Sequence, residues 1–294
     1  MGSDFIGRDD LRGKYTELAT VLPGLQAILE GGEDINSAMN TPQAIYAVSL
    51  LAAEALRQGG IVPDYVAGFS LGEITALAFT ESLSFAEGAR LLLLRTEAMA
   101  DASRKNPGAM AAVMGMTDDK LSEILQGFPQ VYAVNFNSPG QTVISGDAAQ
   151  LAEAVKLVKA EGSKAIVLRV TGAFHSPFMK AAELCLRDHL ATVDLNQPSV
   201  PIISNMTGKP YPEDREGMKE AIAGQVTSPV RFVDTVEYLY ENGVRMFIEC
   251  GEGKVLTGLV GKTLAGKADI SLLNISDNGS LEAALAQLKG SNNV

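Results

Sequence analysis

Apolar positions along the chain fall into distinct rhythms. Ile45, Val48, Leu51, Ala52, Ala55 and Leu56 recur at helical spacing and predict a helix. Thr41-Pro42 reads as its start, an N-cap followed by proline at the first helical position. Gly59-Gly60 reads as its end. Ahead of it, the pattern predicts helices over 9–18 and 25–29 and no strand. A mostly apolar run over 61–67 predicts a strand, and 74–79 the first turns of a helix. Ser84-Phe85-Ala86-Glu87 is a capping box that opens a long helix through Leu91 and Met99.

After Asn106-Pro107-Gly108 the rhythm changes. Strands are expected over 109–114, 131–135, 141–144 and 165–170, with helices over 118–125 and 148–161. This βαββαβ order is the ferredoxin-like arrangement. Beyond it, strands over 200–204, 245–250 and 270–275 alternate with helices over 214–225, 232–242, 255–264 and 281–288. The expected architecture is an α/β-hydrolase-like large domain over 1–106 and 172–294, with a ferredoxin-like subdomain inserted at 107–171. A cleft between two such domains is where a ligand is expected.

Composition narrows the classes. The chain has 294 residues, 46% of them apolar, enough for a substantial core. The formal net charge of −11 argues against general binding to nucleic acid or to anionic membrane. Two cysteines, Cys185 and Cys250, are far apart, and there are two histidines, so a zinc site is not expected. That cysteine usage points to a reducing cytoplasm, with both thiols as small packed side chains, while no apolar run approaches membrane-spanning length and no signal peptide is expected at the polar start.

The chemistry centres on Gly68-Phe69-Ser70-Leu71-Gly72-Glu73, between the expected strand and helix. A serine flanked by glycines at this junction fits a sharp turn that lifts the hydroxyl out of the backbone. The first N–H groups of the helix beyond would face a developing oxyanion. A tight turn needing small residues is the plain alternative. Arg95 lies in the capping-box helix among Leu92, Leu93, Leu94 and Met99, so burial against a ligand carboxylate competes with a surface position. His175 stands in the loop Gly172-Ala173-Phe174-His175-Ser176-Pro177, past the last strand of the insert. His189 lies in a helical pattern with charged neighbours and reads as surface. Gly251-Glu252-Gly253-Lys254 is too short for a phosphate-binding loop.

Taken together, these blocks resemble the malonyl-CoA:acyl carrier protein transacylases, the acyltransferases of fatty acid and polyketide synthesis. Also matching are Asn135-Phe136-Asn137-Ser138-Pro139-Gly140-Gln141, Ser204-Asn205-Met206-Thr207-Gly208, Gln225 before Ser228-Pro229-Val230, and Glu249-Cys250-Gly251 with Gly253-Lys254-Val255. The resemblance implies Ser70 as nucleophile and His175 as general base. It implies a backbone carbonyl at Gln225 orienting the imidazole, and Leu71 N–H as an oxyanion donor. Arg95 would clamp the malonyl carboxylate bidentately, with Phe69, Met99, Asn137 and Phe174 also in the substrate site. Phe174 would favour malonyl over its α-methyl analogue, a methyl being worth only about 1–3 kcal/mol in a pocket. The implied partners are malonyl-CoA and an acidic carrier protein, which supplies the phosphopantetheine. Docking it would need a local basic patch on this acidic chain. No cofactor, metal, nucleic acid or membrane is implied.

Two departures qualify the match. Phe69 stands where the family usually has histidine. The family also opens with an apolar strand and a Gly-Gln-Gly-Ser-Gln loop whose glutamine donates to the oxyanion, and the given sequence starts just beyond that point. Loss of one such donor costs about 10²–10³ in rate at acyl-transfer sites. Two other readings stay open: a serine acyl hydrolase or thioesterase of the same fold, and a catalytically impaired homologue that binds a carrier protein.

Overall fold

The computed structural model describes residues 2–22 and 24–291 and is an α/β fold. Its contacts divide it into two compact units. The first takes the residues up to Leu93, Leu195–Ile202 and the residues from Leu239 on. The second takes Leu94–Asp194 and Ile203–Tyr238.

In the first unit the helix Asn40–Gln58 is buried along most of its circumference, with Tyr46, Ala47, Val48, Leu50, Leu51 and Ala52 all at 0% exposure. A helix buried on most of its sides belongs at the centre of a packed layer, and its buried Glu54 is paired with Arg57. The Tyr46 hydroxyl donates to Phe85 O at 2.9 Å, which solves the problem of burying a phenol. Strand Met246–Cys250 pairs in parallel with Ser271–Ile275, and the helix Val255–Thr263 makes the crossover. Glu249 caps that helix, its carboxylate accepting from Leu256 N at 3.0 Å and Thr257 N at 2.8 Å.

The expected helix start at Thr41 is corrected: the helix begins at Asn40. Ser37 Oγ accepts from Asn40 N at 3.0 Å, while Thr41 Oγ1 donates backward to Ile35 O at 2.6 Å. The expected strand over 61–67 shrinks to Val66–Ala67, held by Val66 N to Pro201 O at 2.9 Å. Pro63 has no N–H to give a ladder, and Ile61 N is turned back onto Leu56 O at 3.1 Å. The strand expected over 200–204 likewise narrows to Ile202–Ile203, because Ser204 already opens a turn closed by Gly208 N to Ser204 O at 2.8 Å.

The second unit is organised by a five-stranded sheet, in the order Lys164–Val167, Ala109–Met114, Gln141–Gly146, Val131–Ser138, Val230–Arg231. All neighbours are antiparallel except the last pair. Over Ala109–Val167 the element order is strand, helix, strand, strand, helix, strand. One face carries a core of Ala111, Val113, Val131, Ile144, Leu151, Val155 and Val158 under the helices Asp118–Leu125 and Ala148–Ala160. The other face packs Met110, Val134 and Val143 against Leu168 and Phe174. Strand Val131–Ser138 runs past its expected end at 135, through two register shifts opposite Gln141–Gly146. The bulges let it follow its neighbour to the Pro139-Gly140 turn. The strand expected over 165–170 is Lys164–Val167.

Candidate active site

In the first unit, Ser70 sits at φ +50°, a left-handed conformation that costs a non-glycine residue of order 1–3 kcal/mol. Gly68 is obligatory there, since a Cβ would lie 1.9 Å from Gly72 C and 2.3 Å from Glu73 N. The turn is closed by Gly72 N to Phe69 O at 2.9 Å and Glu73 N to Ser70 O at 3.2 Å. It feeds directly into the helix Gly72–Phe79, with Leu71 at its N-cap position. Leu71 N–H therefore belongs to the end of the helix that lacks intrahelical acceptors and carries the positive end of the dipole. Phe69, half-buried, precedes the serine.

In the second unit, His175 adopts φ +60° and is 4% exposed. The only other non-glycine with positive φ among the described residues is Glu81, at the end of a helix. Nδ1 of His175 lies 3.0 Å from Gln225 O and 3.2 Å from Ser228 O. Two carbonyls can only accept, so Nδ1 carries the proton and Nε2 is the basic nitrogen. Burial, with the Arg95 charge adding, pushes the imidazole down to about 4, against the opposing pull of the two carbonyls. The ring is thus neutral at pH 7 and ready to accept a proton.

Arg95 comes from the helix Phe85–Lys105 and is 8% exposed. Its Nη2 donates to Gln225 Oε1 at 3.0 Å. Gln225 therefore serves two masters: its backbone carbonyl faces the histidine and its side-chain carbonyl the arginine. Met99 is buried one helical turn beyond Arg95. Phe174 is half-buried on the sheet beside Met110, Val134 and Val143. Asn137 lies on strand Val131–Ser138, and its Oδ1 is buried with no hydrogen-bond partner among the described residues. Asn135 Oδ1, two residues back on the same strand, is in the same position.

His175, Arg95, Gln225, Met99, Asn137 and Phe174 thus fall in the second unit, and Ser70, Leu71 and Phe69 in the first. Two participants escape sequence reasoning: the Ser228 carbonyl and the Gln225 side chain. Pro229 was the available signal for the first, because it holds Ser228 extended at φ −113°, ψ 154°. Cys250 is no rival nucleophile. Burial of its thiol, with the Glu249 carboxylate nearby, pushes it up to about 12. Among the described residues no cluster of histidine, cysteine and carboxylates could hold a metal ion, and no helix is long and apolar enough to cross a membrane.

A strained serine on a strand-to-helix turn and a neutral, carbonyl-held histidine are the parts of an acyl-transfer enzyme. The acyl transferase domain model matches residues 25–280, and the chain belongs to that family. Its relatives narrow this further to malonyl CoA-acyl carrier protein transacylases. The one from Bacillus subtilis is 37% identical over 271 residues, covering 90% of this chain and 84% of that protein. The crystal structure of the malonyl CoA-acyl carrier protein transacylase from Clostridium perfringens superposes with a TM-score of 0.92 at 31% identity, over 99% of this chain and 93% of that one. A malonyl-transacylase solved in complex with its type II polyketide acyl-carrier protein gives 0.91 at 31% identity, over 98% and 94%.

Proposed function

We propose that this chain moves a malonyl group from malonyl-CoA to the phosphopantetheine thiol of an acyl carrier protein through an ester on Ser70. Ser70 Oγ attacks the thioester carbonyl as His175 Nε2 takes its proton. The negative oxygen is stabilised by Leu71 N–H at the helix terminus. Collapse breaks the C–S bond, and the imidazolium returns its proton to the departing CoA sulfur. The carrier's thiol then repeats the sequence in reverse, giving ping-pong kinetics. Arg95 holds the malonyl carboxylate, Asn137 supplies a buried acceptor for substrate donors, and Phe69, Met99 and Phe174 shape the acyl pocket.

The observation that carries this reading is the buried guanidinium of Arg95 sharing Gln225 with His175. A buried cation beside the general base is costly for a neutral acyl group and well used by an acyl group with its own carboxylate. A hydrolase for neutral esters has no need of it. The chemistry needs no cofactor in this chain, because the phosphopantetheine is the carrier's. We read 107–171 as a ferredoxin-like subdomain inserted into a hydrolase-like domain, and the enzyme as cytoplasmic, where CoA thioesters and reduced thiols coexist.

Intact mass before and after brief exposure to malonyl-CoA tests the proposal. A species heavier by one malonyl group, absent in Ser70→Ala and discharged by holo carrier protein, is expected. CoA release without that species would replace transfer by hydrolysis.

A further inference from the structure

Glu183 is a carboxylate that the mechanism does not use, yet it is 5% exposed. It sits in the helix Lys180–Ala191, eight residues after His175. Oε1 accepts from Lys180 Nζ at 2.8 Å and Arg187 Nη2 at 2.9 Å. Arg187 also pairs with Glu220. A surface glutamate could satisfy both cations while staying in water. This one turns inward, and Oε2 accepts from Thr227 Oγ1 at 2.9 Å. Burial alone would raise its pKa, but donors from Lys180, Arg187 and Thr227 outweigh that and lower it, so it stays charged.

Thr227 closes the short helical turn Gln225–Thr227. On either side of it stand the two carbonyls that face His175 Nδ1, those of Gln225 and Ser228. Its hydroxyl has one proton and two acceptors in reach, Glu183 Oε2 and Gly224 O at 3.1 Å. The charged acceptor holds it more strongly. Chain and hydrogen bonds form a closed ring: from His175 along the backbone to Glu183, across to Thr227, and back through the carbonyls to the imidazole. The Glu183–Thr227 link therefore ties the helix that follows the histidine loop to the acceptor turn by a hydrogen bond separate from those that are to be oriented.

We propose that Glu183, acting through Thr227, is a positioning residue for His175, setting from one step away the orientation that a carboxylate sets directly in an acid-containing triad. This rests on the acyl-transfer reading above. Misplacing a base by a fraction of an ångström to 1 Å costs up to about 10²-fold in rate. Thr227→Val should lower kcat for malonyl transfer by about 10- to 100-fold with KM for malonyl-CoA nearly unchanged. Thr227→Ser should restore it. Glu183→Gln should lower kcat in the same way, and the double variant should be no worse than the poorer single one. The His175 Nδ1–H proton resonance should shift or broaden in Thr227→Val and return in Thr227→Ser. Variants that melt earlier but keep kcat and that resonance would overturn the proposal. A wild-type chain that transfers no malonyl would instead remove the functional reading, and the Nδ1–H comparison would still decide the brace.

Discussion

At the scale of single residues, Arg95 is asked to do two things at once. It is the group proposed to hold the substrate's carboxylate, and its charge is the second cause, after burial, of the low His175 pKa. Arg95→Ala should therefore have two separable effects. Losing a buried charge-assisted pair costs about 2–5 kcal/mol, so kcat/KM for malonyl should fall by about 30- to 5,000-fold while acetyl is tolerated better. Removing a cation that disfavours imidazolium should raise the histidine pKa. The acidic limb of the pH–rate profile, read with acetyl-CoA, should then move up from near 4 toward the ordinary 6.5. An unchanged malonyl/acetyl preference would sink the clamp, and an unmoved limb would sink the electrostatic link.

At the scale of elements, the most legible signals were local ones. Ser84 N donates to Glu87 Oε2 at 2.9 Å and Glu87 N to Ser84 Oγ at 3.1 Å, the reciprocal pair that Ser-x-x-Glu spells out. Thr117, Asp147 and Asp214 likewise cap helices that begin at the next residue. Strand ends were read less well, at 61–67 and at 200–204, because a strand's length is set by a partner distant in sequence. The same limit applies to the site. Ser70, His175 and Arg95 announce themselves as side chains, but the Ser228 carbonyl and the Glu183–Thr227 link exist only once the chain is folded. The Ser84 box starts the helix that carries Arg95, so Ser84→Ala should cost about 1 kcal/mol. That corresponds to about 2–4 °C in a melting curve, with the malonyl/acetyl ratio retained because the arginine lies nearly three turns further on. The hydrogen bonds from Ser84, backbone first, hold the Glu87 carboxyl below its usual range. Its share of stability is thus present at neutral pH and lost as pH falls through that lowered value.

At the scale of the whole molecule, the buried histidine ties folding to pH. The unfolded chain protonates His175 near 6.5, whereas the folded chain keeps it neutral down to about 4. Between those values the unfolded state binds more protons, so stability rises with pH in that window and is lost as pH falls through it. The slope from one such group is at most about 1.4 kcal/mol per pH unit. The carboxylates held low by their partners, Glu87 and Glu183 among them, act below the ordinary glutamate value of 4.5. The interval from 4.5 to 6.5 therefore belongs mainly to the histidine. Denaturant unfolding of the wild type across that interval should show a steady loss of stability toward acid, and His175→Gln should flatten it whatever its stability at neutral pH. Parallel curves for the two proteins would mean that the folded imidazole titrates like the unfolded one. The proposed general base would then be protonated near pH 6, and the acidic limb of the transfer pH–rate profile should lie near 6.5 instead of about 4.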